Sequence, residues 1–267
     1  MTQEPIELDF KSLDDLALGV ALNRVSSYSL PEISLNRLGP IIEGLSVSEN
    51  WQSPLWERPS LKSGRFSGLV NDTINGKTRT QMSGAPLGWI CADQIFNNGG
   101  WTGFQIRISA AMNAGGFDTR TKNGVVAMLG EFRSNIAEHA GSFAGSVVAF
   151  CMDDSILEVV VADRGRGVLQ SLRDNPKFAD LDDAGQALRL AVSEGVSRHA
   201  DSCRGHGFTP LFKGLANRFS HIRLRSGNHA LEVFQTSEEK PMERISQKAE
   251  NPGLFVYARF DRSKPIA

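Results

Sequence analysis

"SVVAFCMDDSILEVVVADRGRGV" occupies residues 146–168 and decides how the rest of the chain is read. Two apolar runs, 147–152 and 156–162, stand either side of Asp153, Asp154 and Ser155. Short runs rich in β-branched residues and bounded by turn formers predict strands, and so short a connection predicts an antiparallel hairpin. The second run ends in Asp163, and Gly165 and Gly167 follow at alternate positions. A carboxylate at a strand end can accept from a ligand amine while unhindered backbone passes close to a flat ring. An ordinary strand-to-loop turn uses the same residues, because aspartate and glycine mark turns everywhere.

Upstream, residues 125–140 read as a helix, with Val126, Leu129, Phe132, Ile136 and Ala140 spaced by three and four. Glu131, Asn135 and His139 lie four apart, so they share a second stripe of that helix, with Glu138 beside them. Taken alone, such a stripe is explained by solvent. Downstream comes a long polar connection, 168–204, broken by Asn175 and Pro176 and holding a helical piece around 184–192. "GHGFTPLFKGLANRF" then opens a helix on two glycines, where free N–H groups and the positive helix end can receive an anion. A hinge before a helix is the plainer reading of the same glycines. "SHIRLRS", "ALEVFQ" and "LFVYARF" predict three further strands. Helix, two strands, insertion, helix and three strands predict an α+β fold, a mixed sheet with helices on one face.

The first half has a different texture. Residues 13–25 predict an amphipathic helix, and 48–68 is rich in Pro, Ser, Gly and Trp, as loops and short strands are. Asn97-Asn98-Gly99-Gly100 between apolar runs predicts a hairpin turn. Trp51, Trp56, Trp89 and Trp101 either form a partner surface or, more simply, pack this region's own core.

The 267 residues carry 29 Lys and Arg against 30 Asp and Glu, a net charge of -1 that does not point to nucleic acid. Three well-separated cysteines, Cys91, Cys151 and Cys203, form no disulfide framework or zinc pattern and fit a reducing compartment. The N-terminus lacks the apolar core of a signal peptide, and no run approaches the roughly 20 apolar residues of a membrane span. The expectation is a cytoplasmic protein with no membrane association.

As a set, Glu-x3-Asn on a helix, a hairpin ending in Asp-x-Gly-x-Gly, a long insertion and Gly-x-Gly on a helix resembles the GHKL ATPase superfamily, and its histidine-kinase-like ATP-binding domain in particular. The resemblance covers roughly residues 121–262. It implies a two-layer α/β sandwich of Bergerat type over residues 116–267, with the ATP lid at 168–204, preceded by a smaller α+β region over 1–115. It implies ATP and Mg²⁺ as cofactors. Asn135 would ligate the metal, Glu131 would orient or deprotonate an attacking water or hydroxyl, and His139 would extend the same stripe toward the nucleotide. Asp163 would accept from the adenine amino group, with Gly165 and Gly167 beside the base. Arg204, Gly205, His206, Gly207 and Phe208 would line the phosphates, with Arg198 and His199 as further lid contacts.

Three functional classes follow from the resemblance. A kinase acting on a separate protein is open, whereas self-phosphorylation at an upstream histidine is not, because no histidine precedes His139. An ATP-hydrolysing machine is open because Glu131 is the acid such hydrolases use. A non-catalytic switch is open because ATP can order a lid and change a binding surface. A protein partner is expected in each case, and a homodimer is open.

Overall fold

The computed structural model of the chain describes residues 6–24, 32–47, 64–75, 77, 86–139, 145–193, 219–235 and 241–262. Its centre is a five-stranded sheet in the order β3-β4-β5-β7-β6. These strands are β3 (Leu87–Cys91), β4 (Val147–Asp153), β5 (Ile156–Ala162), β6 (His221–Phe234) and β7 (Met242–Asp261). The hairpin read from residues 146–162 is present: β4 and β5 pair antiparallel from Val147↔Ala162 to Asp153↔Ile156, and Asp154 turns the chain at φ 47°.

The sheet is antiparallel throughout, not mixed. β5 and β6 point the same way, as a crossover connection requires, but the chain places β6 one position further out. β7 then returns between them and opposes both. Two of the three expected late strands are one: β6 runs unbroken through Gly227, where the register with β7 shifts. A bulge lets a strand bend without ending. The hairpin turns back beyond it, with the His221 ring stacked on Phe234 and the Gln235 N–H donating to the Ser220 carbonyl.

Alternate residues of β4 and β5 face two separate cores. Val148, Phe150, Met152, Leu157, Val159 and Val161 pack under four helices of one layer. These are α5 (Asn98–Ala114), α6 (Thr119–His139), α7 (Gly167–Arg173) and α8 (Ala184–Val192). Val147, Ala149, Cys151, Val160 and Ala162 pack under a second layer, formed by α1 (Phe10–Ala21), α2 (Leu38–Ser46) and α3 (Ser67–Ile74). A short α4 (Asp93–Phe96) links β3 to α5, and a small parallel pair, β1 (Ile6–Glu7) with β2 (Ile33–Ser34), flanks α1. The two-layer arrangement expected for the second half is therefore completed by a third layer from the first half, which also supplies the edge strand β3.

Asn97-Asn98-Gly99-Gly100 begins a helix instead of turning a hairpin. The Asn97 side chain accepts from the Gly100 N–H, and Trp101, Phe104, Ile108, Ala111 and Met112 follow at helical spacing onto the core. Trp89 and Trp101 are both buried, while Trp51 and Trp56 lie outside the described residues. Cys91 and Cys151 are buried and not joined in a disulfide, and burial pushes both thiols up to about 12. No helix among the described residues is long and apolar enough to cross a membrane.

α1 is closed by a reciprocal cap: Asp9 accepts from the Ser12 N–H, and Ser12 Oγ accepts from the Asp9 N–H. α2 has no such cap of its own, and all nine of its residues are buried. Its first N–H, on Leu38, instead donates to Glu158 Oε2 of β5 at 2.9 Å, and Arg37 and Tyr257 satisfy Oε1.

Beneath α1 and α2 lies a buried charge cluster. Arg223 and Arg225 on β6 are fully buried, as is Glu43 on α2. Arg223 donates to both oxygens of Glu43 at 2.8 Å and to Asp14 of α1 at 2.6 Å, and Arg225 Nη1 reaches Glu43 Oε1. Lys248 adds a contact to Asp14, and Glu232 answers Arg223 and Arg244. Burial alone would raise the Glu43 carboxyl, but the two guanidinium groups hold it below the usual carboxylate range. Removing one member of a buried pair strands the others, at about 3–5 kcal/mol. Glu43→Ala should destabilise the protein by that order in urea unfolding. A loss below about 1 kcal/mol would contradict burial of the cluster.

Candidate functional site

Helix α6 carries the first group of expected site residues. Its apolar stripe, Val125, Met128, Leu129, Phe132 and Ile136, is buried, so the opposite stripe is turned away from the core. Glu131 is exposed and Asn135 half-buried, one turn apart on that outer stripe. His139 closes the helix, but its side chain is outside the described residues, as are Arg198, His199, Arg204, Gly205, His206, Gly207 and Phe208. Residues 168–193 of the expected lid are not a loose loop. α7, a 3-10 turn (Pro176–Phe178) and α8 occupy them, and Leu172, Ala187 and Leu188 enter the core. The remainder, 194–204, lies outside the described residues.

The second group lies where β5 ends. The Asp163 N–H donates to the Leu254 carbonyl, which fixes the residue to β7. Its side chain is 6% exposed and accepts from the Gly165 N–H at 2.8 Å, a local turn held by the carboxylate itself. Gly253 closes the corner from β7. At φ +73°, a Cβ there would stand 2.2 Å from the Asp163 carbonyl oxygen and 2.6 Å from Oδ1. Only glycine permits that approach. Gly167, at φ +74°, starts α7, and a Cβ on it would fall 2.7 Å from Ser226 Oγ. That hydroxyl accepts from the Val168 N–H at 2.9 Å and donates to the Gly253 carbonyl at 2.8 Å.

Ser226 and Gly253 are the corner residues that spacing did not reveal. Their only signals are "RSGN" and "NPG", which read as turns. A cleft of about 370 Å³ opens beside the corner, between α7, the start of α8 and the bend of the β6–β7 hairpin. It shares Gly165, Gly167, Ser226 and Gly253 with the corner and adds Gln170, Asp182, Asn228 and Glu250. Neither Asp163 nor the α6 residues line it. Among the described residues, no group of three or more His, Cys, Asp or Glu side chains is gathered for a metal ion.

Burial raises the Asp163 carboxyl to about 6, against the opposing pull of the Gly165 and Leu254 N–H groups. A carboxylate retains further lone pairs when one oxygen is engaged, so an ionised Asp163 can still accept from a ligand N–H. The same burial makes the charge costly to the empty protein. In the unfolded chain the group titrates near 3.8, so the folded state holds its proton to higher pH. Its stabilising contribution is full below pH 4 and is lost as pH rises from about 4 to 6. Asp163→Asn removes the charge and keeps the shape. The variant should match the native protein near pH 4 and exceed it at pH 7.5 by the order of 2 kcal/mol, measured by urea unfolding at both values. A variant less stable than the native protein at pH 7.5 would contradict the burial cost.

Comparison with protein-family models, curated proteins and solved structures finds no match.

Proposed function

We propose that the chain binds ATP with Mg²⁺ as a cytoplasmic signalling protein of GHKL type, a kinase or ATPase that works on a protein partner. The observation that supports this reading most is the Asp163 corner. A buried carboxyl with a raised pKa stands at a strand end, next to a cleft lined by Gly165, Gly167 and Gly253. Among the described residues its stabilising contacts are backbone N–H groups and no cation, and recognition of an amino group would add the partner that a buried acid calls for. In this reading the carboxylate accepts from the exocyclic amine of adenine.

The donor set of α6 fits a magnesium nucleotide. Mg²⁺ takes oxygen ligands, keeps several waters and is bound through phosphates plus one or two protein groups. Asn135 supplies an amide oxygen, and Glu131, one turn away and exposed, is free to orient a nucleophile. Bound Mg²⁺ would neutralise the phosphate charge during transfer. Glu131 would receive the proton of the attacking water or hydroxyl.

A non-catalytic switch is the second reading, favoured by one observation. Arg225, tied to Glu43 and close to Asp14, precedes Ser226, which touches the ligand corner. Ligand at the corner and movement of the first-half helices would then bias each other.

Two measurements test the proposal. In calorimetric titration, ATP should bind and GTP should bind at least about tenfold more weakly, because guanine presents a carbonyl where adenine presents an amine. Asn135→Ala should lose the Mg²⁺ dependence of ATP affinity. Equal ATP and GTP affinities would overturn the adenine reading. With γ-labelled ATP and a partner protein, turnover should be lost in Glu131→Ala by about 10²–10⁴-fold while ATP affinity is kept. Nonzero turnover unchanged in the variant removes Glu131 from the chemistry, and absence of turnover in the native protein favours the switch.

A further inference from the structure

We propose that Ser226 is the positioning residue of the ligand corner, setting the Gly165–Gly167 turn and, through it, the carboxyl of Asp163. This rests on the reading of Asp163 as the residue that recognises the base. α7 begins at Gly167 without a capping side chain of its own. Its Val168 N–H is one of the amides that a helix leaves unsatisfied in its first turn. Ser226 Oγ, from a strand 58 residues away, takes that hydrogen bond and passes its own hydrogen to the Gly253 carbonyl. One hydroxyl thus ties three separated segments: the turn after β5, the bend of β6 and the bend of β7.

Ser226 is 3% exposed, and its hydroxyl is already engaged on both sides by backbone. Its influence runs through neighbours. Gly253 packs against both the carbonyl oxygen and Oδ1 of Asp163, and Gly165 donates to that same Oδ1. Loss of the hydroxyl frees the Gly253 carbonyl and the start of α7 together. The carboxyl then loses the two groups that fix its direction. A misdirected carboxyl still carries charge but no longer distinguishes an amine from a carbonyl, so discrimination falls more than overall affinity. The absence of a Cβ on Gly167 is explained by the same contact.

The experiment compares native protein, Ser226→Ala and Ser226→Thr by two readouts. The first is the ratio of ATP to GTP affinity by titration calorimetry. The second is hydrogen exchange at the Gly165 and Val168 amides without ligand, which needs no nucleotide. In Ser226→Ala the affinity ratio should fall about tenfold, and both amides should exchange about tenfold faster, the loss expected from one net hydrogen bond of about 1.4 kcal/mol. Ser226→Thr should restore both, because it returns the hydroxyl. Gly165 makes no bond to Ser226, so its exchange rises only if the turn itself loosens. Native exchange at Gly165 in Ser226→Ala overturns the positioning role. An unchanged affinity ratio, with only thermal stability lowered, overturns it equally and leaves Ser226 a helix cap. If native protein binds no ATP, the base reading fails and this assignment fails with it; Gly165 exchange then reports separately whether Ser226 holds the turn.

Discussion

Two arginines without solvent govern this structure. Arg223 and Arg225 project from β6 into the space beneath α1 and α2, where an unpaired guanidinium is untenable. Glu43 and Asp14 answer them, so the sheet and its N-terminal layer cannot separate without exposing apolar surface and stranding charge together. Such clusters contribute little net stability compared with a well-packed apolar core. What this one joins is separate elements: α1, α2, β6 and β7 all contribute a charge to the same buried cluster. Phe10 lies over the Arg223 guanidinium at 4.7 Å, adding an aromatic face to the same lock.

The Asp163 corner inherits that rigidity. Arg225 and Ser226 are consecutive, one turned to the charge cluster and the other to α7. A strand alternates its side chains between faces, so a residue fixed on one face sets the reach of its neighbour on the other. Two helices in this molecule, α2 and α7, are capped by side chains of the sheet, Glu158 and Ser226, instead of by residues of their own sequence. Both begin where the sheet places them. Asp163 also has a local part, holding the turn at Gly165, but its burial raises the cost of its charge.

Local pattern disclosed some of this plainly. The β4–β5 hairpin, the helix of α6 and the piece at 184–192 follow from periodicity and turn chemistry, which act over a few residues. Asp163, Gly165 and Gly167 stood out because a strand end with a carboxylate is a local feature. The third layer did not, because Arg223 and Arg225 alternate with apolar residues and look solvent-facing until Glu43 arrives from 180 residues away. Asn97–Gly100 resembled a turn because the helix that follows is decided by the core contacts of Trp101 and Phe104, not by its opening residues. Ser226 and Gly253 were opaque for a related reason: each acts on backbone distant in sequence, and serine and glycine in turns are commonplace.

The cap on α2 also bears on the order of assembly. Leu38 receives its acceptor from a residue 120 positions later, and Arg225 meets Asp14 across 211. Contacts so remote are entropically expensive to close and form slowly. As the chain leaves the ribosome, α1 and α2 are made before the groups that cap α2 and neutralise Glu43, at 158, 223 and 225. Until then Glu43 is an acid on an otherwise apolar helix, free to remain in water. The charge that joins the finished protein is therefore hydrated at first, and it becomes buried only when β6 arrives to claim it.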